Sequence, residues 1–223
     1  MELQIEKKLL SFRDIPTLAD RSEKSVLLLR HSMRVSLNHG TDPVLTPEGT
    51  AFARQCGTLL AGLSEAGFGA SPRKRAILTA EALKQEIDPA AGETAVFPEI
   101  SDTAMFVRPD MLDAALRNSN ITDLLREYYT MGHTEGLIDR RDFASELLQF
   151  LTSTDFKSRN TILITHDILI VCLLTHLKVY PFEFNDWCGY VQGAALFRSA
   201  DGVWSVRYAV PDAANRPKTA LFV

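Results

Sequence analysis

Arg30-His31, Arg34, Arg75 and His166-Asp167 are the residues whose types and placement could do chemistry. Arg30 and His31 follow the wholly apolar run 26–29 with no spacer. A run that short, bounded by Ser25, reads as a strand buried on both faces, the kind found in a parallel sheet. Ligands of such sheets bind at the carboxyl ends of the strands. Burying a guanidinium and an imidazole there costs free energy unless an anion or an acid compensates. A second run, 161–165, ends on His166-Asp167. If both strands belong to one parallel sheet, His31 and His166 meet on a shared rim. Two imidazoles and two or three guanidiniums around one point suit a dianion. Arginine supplies forked donors to phosphate oxygens, and the cationic field keeps one histidine neutral and nucleophilic. A neutral histidine can attack phosphorus, with arginines stabilising the charge in flight and a carboxylic acid protonating the leaving oxygen. That chemistry requires no metal, and the sequence carries no HExxH, GxxxxGK[ST] or EF-hand pattern.

The elements that must position these residues follow from periodicity and punctuation. After the polar loop 32–45, Thr46-Pro47-Glu48 reads as a helix start, with Thr as N-cap and Pro in the first turn. Ala51, Phe52, Cys56, Leu59, Leu60 and Leu63 give that helix an apolar face. Gly67 and Gly69 are expected to end the connection, and Ala70-Ser71-Pro72 to be a short strand or strand end. Helical spacing runs through 73–86. Residues 94–97 form a third strand stopped by Pro98, 110–131 one or two helices, and 139–152 another. The buried strand 161–165 leads into helix 167–177. Runs 190–198 and 203–210 close the chain as a hairpin around Asp201-Gly202. Residues 1–24 are expected to lie on the domain as an irregular helix or arm. This order predicts a single α/β domain spanning 1–223, a three-layer α/β/α sandwich whose central sheet is mostly parallel with an antiparallel edge.

Composition narrows the classes of function. With 46% hydrophobic and 23% charged residues over 223, the chain is that of a soluble globular protein. A net charge of −4 gives no electrostatic argument for nucleic acid or an acidic membrane surface, so a phosphate site must be a local arginine cluster. Cys56, Cys172 and Cys188 lack a CxxC spacing and read as buried free thiols in a reducing compartment. The N-terminus has no continuous apolar core of a leader. The apolar stretch 162–177 contains His166, Asp167 and His176 and is short for a membrane span. A cytoplasmic protein without membrane or nucleic-acid partners is the expectation.

Four segments, Leu28-Leu-Arg-His-Ser32, Asp42-Pro-Val-Leu-Thr-Pro-Glu-Gly49, Ser71-Pro-Arg-Lys-Arg-Ala-Ile-Leu-Thr-Ala-Glu81 and Ile164-Thr-His-Asp167, occur in this order. Together they resemble the histidine phosphatase superfamily, the phosphoglycerate mutase-like proteins. The resemblance covers roughly 26–177 and, through the final hairpin, the domain. It implies a phosphoglycerate mutase-like fold, with His31 as phosphate-accepting nucleophile and Arg30 and Arg75 as phosphoryl clamps. His166 would be the second pocket histidine, and no cofactor is implied. Ser32 and Thr165 stand where the family usually has glycine. Arg34 and the His166-Asp167 pair are similar to the acid-phosphatase-like branch, whereas the Asp42–Gly49 segment is similar to the mutase-like branch. The proton donor therefore stays open between Glu99, preferred, and Asp167, whose other reading is a helix N-cap. Arg34 has a solvated-loop reading beside the phosphate-binding one. His39, Arg108 and His133 are read as structural or exposed in preference to lining the substrate mouth. The implied activity is metal-independent hydrolysis of a phosphate monoester on a small molecule or phosphoprotein. Its alternatives are a mutase-like phosphotransferase and a non-catalytic phospholigand-binding module.

Overall fold

The computed structural model describes residues 2–35, 42–106, 121–216 and 218. In chain order its elements are β1 (Leu3–Ile5), β2 (Leu10–Ser11), α1 (Ile15–Asp20), β3 (Lys24–Arg30), α2 (Pro47–Leu59), β4 (Ala66–Ala70) and α3 (Lys74–Ile87). There follow β5 (Ala95–Val96), α4 (Ile121–Met131), α5 (Arg140–Ser153), β6 (Asn160–Thr165), α6 (Asp167–His176), β7 (Gly193–Arg198) and β8 (Trp204–Val210).

Strand β3 lies in the middle because its side chains have an apolar partner on either side. Val26 and Leu28 enter a core with Tyr128 of α4, Phe143 and Leu147 of α5 and the buried residues of α6. Leu27 and Leu29 point the other way, into a core with Cys56 of α2 and Ala76, Ala80 and Leu83 of α3. The period-2 alternation of a strand thus divides one apolar run between two helix layers. The sheet order is β1-β8-β7-β3-β6-β4-β5, with β2 also on β8. Strands β3, β6, β4 and β5 pair in parallel. Strand β7 runs against both β3 and β8 and supplies the expected antiparallel side.

Two local expectations change. The N-terminal arm is not only helix: β1 and β2 extend the sheet in parallel along β8. Phe12, Ile15 and Ala19 then enter the core beside α2. These strands of three and two residues carry almost no pattern of their own; the unpaired edge of β8 supplies their partners. Gly67 and Gly69 lie inside β4 and do not end a connection. A Cβ on Gly69 would fall 2.6 Å from the Phe97 ring and 2.7 Å from Leu163, and one on Gly67 2.3 Å from Ser158 Oγ. Of the helical stretch expected over 110–131, residues 121–131 form α4 and the rest lies outside the described residues.

Cys56, Cys172 and Cys188 are buried and unpaired, and burial pushes each thiol up to about 12. Such thiols pack as small apolar groups. No described helix is long and apolar enough to cross a membrane.

Candidate active site

Strands β3, β6 and β4 are consecutive in the sheet and point the same way. Their carboxyl ends therefore carry Arg30-His31, Thr165-His166 and Ser71 side by side. Backbone bonds lock the three ends together: His31 N–H donates to Thr165 O at 2.9 Å, and Ser71 N–H to Ile164 O at 2.9 Å. The rings of His31 and His166, 135 positions apart in sequence, lie 5.4 Å apart edge to face. Arg30, His31, Arg75 and His166 are between 3 and 8% exposed, so water does little to screen their fields.

The nitrogen of His31 that can react is set by its partner. Nδ1 lies 2.7 Å from Ser32 O. A carbonyl only accepts, so Nδ1 carries the proton and the lone pair sits on Nε2. Burial, then His166 and Arg30, hold the imidazole well below its ordinary value, which keeps it neutral. His166 is fixed in the same way. Arg75 Nη2 donates to its Nδ1 at 3.2 Å, leaving Nε2–H to donate to Ser71 Oγ at 2.9 Å. Burial brings its pKa down to about 4 against the opposing pull of Asp102.

The guanidiniums complete the cradle. Arg30 Nη1 donates to Cys188 O at 2.6 Å, and its Nη2 lies 3.3 Å from Asp167 Oδ2. Its plane is capped by the Tyr190 ring at 4.4 Å, and the same ring lies 6.3 Å from His31. Arg75 pairs with Asp102 at 2.7 Å and Asp42 at 3.5 Å. The Nε groups of Arg30 and Arg75 are buried without an acceptor among the described residues. Two guanidiniums are thus incompletely satisfied beside two neutral imidazoles, a donor-rich pocket that favours an oxyanion.

Both departures from glycine have a structural reason. Ser32 Oγ donates to Gly49 O at 2.7 Å, and Ser32 N–H to Thr79 Oγ1 at 2.9 Å. Thr165 Oγ1 donates to Ile100 O at 2.6 Å, tying β6 to the 3-10 turn Pro98–Ile100. The helix start holds as read: Thr46 Oγ1 accepts from Gly49 N–H at 2.9 Å, with Pro47 first in the helix. Gly49 cannot carry a side chain, since its Cβ would lie 2.1 Å from Met33 O.

The remaining candidates fall around the rim. Glu99 stands on that 3-10 turn, exposed, and its carboxylate has no bond or ion-pair partner among the described residues. Asp167 is the first residue of α6; His166 occupies the N-cap. Its carboxylate takes Ile168 N–H at 3.0 Å and Trp187 Nε1–H at 3.1 Å besides Arg30. Arg34 donates to Val35 O at 3.2 Å. Burial and the fields of Arg75 and Arg30 lower its pKa. His133 is exposed, whereas His39 and Arg108 lie outside the described residues.

Several site residues carry no sequence reading. Ser71 and Asp42 sit within quoted segments, but nothing in a bare Ser or Asp tells that one meets His166 and the other Arg75. Asp102 belongs to no segment; only its place three residues after Glu99 could have drawn attention. Tyr190 is hidden in the approach to β7.

A family model described as histidine phosphatase superfamily (branch 1) matches residues 26–197. Among solved structures, a phosphoglycerate mutase from Bacillus anthracis str. Sterne superposes with a TM-score of 0.58 at 16% identity, covering 88% of this chain and 96% of that one. A mycobacterial glucosyl-3-phosphoglycerate phosphatase gives 0.52 at 19% identity, covering 83% and 98%. The protein histidine phosphatase SixA, complexed with tungstate, gives 0.50 at 16%, covering 82% and 94%. At these identities the likenesses bear on the fold. No curated protein matches the sequence significantly.

Proposed function

The chain belongs to the histidine phosphatase superfamily, and we propose that it hydrolyses a phosphate monoester without a metal, through a phosphohistidine on His31. The observation that carries this reading is the pairing of His31 and His166 at 5.4 Å, with His31 Nε2 as the unprotonated nitrogen.

In the first step the Nε2 lone pair attacks phosphorus, the P–N bond forms and the bond to the leaving oxygen breaks. Arg30 and Arg75 donate to the non-bridging oxygens, where charge accumulates, while His166 holds Arg75 Nη2 in place. Glu99 protonates the departing oxygen. Its unengaged carboxylate, next in sequence to the turn residue Ile100 that is bonded to β6's last residue, supports this choice over Asp167, whose oxygens are already taken by Arg30, Trp187 and Ile168 N–H. In the second step water gives its proton back to Glu99 and attacks phosphorus, the P–N bond breaks, and inorganic phosphate leaves.

The substrate is a phosphorylated small molecule or a phosphoprotein. A cytoplasmic setting is supported by three unpaired thiols. Hydrolysis is preferred to mutase action because, among the described residues, none clearly shields the phosphoenzyme and holds a small phosphorylated acid. The test is to incubate the protein with a labelled monoester, quench in alkali and map the label. Label on His31, with phosphate released in the absence of a bisphosphorylated primer, is expected. Binding of vanadate without turnover of any monoester would leave a phospholigand-binding module instead.

A further inference from the structure

Arg75 Nη2 has two hydrogens, and both are in use. One goes to Asp102 Oδ2 at 2.7 Å, the other toward His166 Nδ1 at 3.2 Å. A phosphoryl oxygen can be received on this nitrogen only by displacing one of them. Displacing His166 would dismantle the paired imidazoles. Displacing Asp102 would not strand a charge, because its Oδ1 keeps Arg73 Nε at 2.8 Å and Ser101 Oγ at 3.2 Å. Asp102 also stands on the solvent side of the pair: its side chain is 28% exposed and that of Arg75 10%. Arg75 meanwhile keeps Asp42 on Nη1 at 3.5 Å, so it does not lose its orientation.

Resting on the phosphatase reading, we infer that Asp102 is a resident competitor for the phosphoryl group, a positioning residue that yields Arg75 to substrate and reclaims it from product. Two anions share one guanidinium nitrogen in turn. The carboxylate lowers the affinity of the cradle for inorganic phosphate and thereby speeds its departure, a step that limits turnover in many enzymes. Burial opposes the charge on Asp102, but His166, Arg73 and Arg75 outweigh it and keep the carboxyl below its usual range.

The experiment compares wild type, Asp102→Asn, Asp102→Ser and Asp102→Glu by calorimetric titration with inorganic phosphate and with vanadate, alongside monoester turnover. Both neutral variants are expected to bind phosphate about tenfold tighter, a difference of the size that removing one nearby like charge gives. Their KM and the inhibition constant for phosphate should fall together while kcat does not rise. Asp102→Glu, which keeps the charge, should bind phosphate as the wild type does. Unchanged or weaker phosphate binding by whichever neutral variant folds would overturn the inference while leaving the phosphatase intact. Wild type that neither binds phosphate nor turns over a monoester would remove the phosphatase reading and the inference with it.

Discussion

On one side of the site, Arg30, His31, Ser71 and His166 project from the ends of three neighbouring strands, buried and fixed by backbone bonds. On the other, Glu99 stands on a 3-10 turn and Asp102 just after it, both meeting solvent, and Asp102 is held by ion pairs to Arg73 and Arg75. Strand-end groups inherit their spacing from the sheet, whose hydrogen bonds leave little room for error. Groups on the facing turn depend on side-chain pairs that can exchange partners. The first arrangement suits a nucleophile and its clamps, which must be preorganised. The second suits groups that must trade protons or anions within each cycle.

The contrast is broken most severely at His31. His31→Ala should cut turnover by about a thousandfold or more and abolish phosphoenzyme label, with the circular dichroism spectrum unchanged. Glu99→Gln tests the facing side. It should slow hydrolysis of an alkyl phosphate by about a hundredfold while sparing 4-nitrophenyl phosphate, whose leaving group needs no proton. Equal loss on both substrates would move the donor role elsewhere, with Asp167 the next candidate.

Stability should separate the two sides as well. Gly49→Ala, beneath the His31 loop, should cost about 1–3 kcal/mol by denaturant titration, because the new methyl must push against the Met33 carbonyl. Thr165→Val should cost less, about 1–2 kcal/mol, by leaving the Ile100 carbonyl without its donor. It should also lower the activity that depends on Glu99, since the bond it removes is one of those that tie the two sides together. Stability should also depend on pH. An unfolded chain protonates histidine near 6.5, whereas burial makes His166 refuse the proton until about 4. The unfolded state therefore binds more protons across this window, and stability should fall as pH drops from 6.5 toward 4. His166→Gln should flatten that slope in urea midpoints measured against pH; an unaltered slope would count against a neutral buried His166.

The sheet-borne side was the more legible in sequence, for the same physical reason. Residues 26–29 and 161–165 are apolar because they are buried on both faces, and that burial is written in residue type. Thr46-Pro47 announces a helix because capping is local. The facing side depends on contacts made after folding: nothing local reveals that Asp102 finds Arg73 and Arg75, or that Tyr190 lies over Arg30. The arm at 1–24 was misread in part because β1 and β2 borrow their order from β8. Gly67 and Gly69 resembled loop residues, although crowding by Ser158, Phe97 and Leu163 is what requires them.

The amide of Arg30 donates to Gln192 O, and that of His31 to Thr165 O. These two amides are made long before the carbonyls that hold them, Thr165 O and Gln192 O, which lie far downstream in the sequence. A nascent protein emerging from a ribosome has the His31 imidazole long before it has the backbone that positions it, and such distant pairings are slow to close. Activity should appear late and all at once during refolding, and a chain cut before residue 192 should retain both histidines while losing the means to use them.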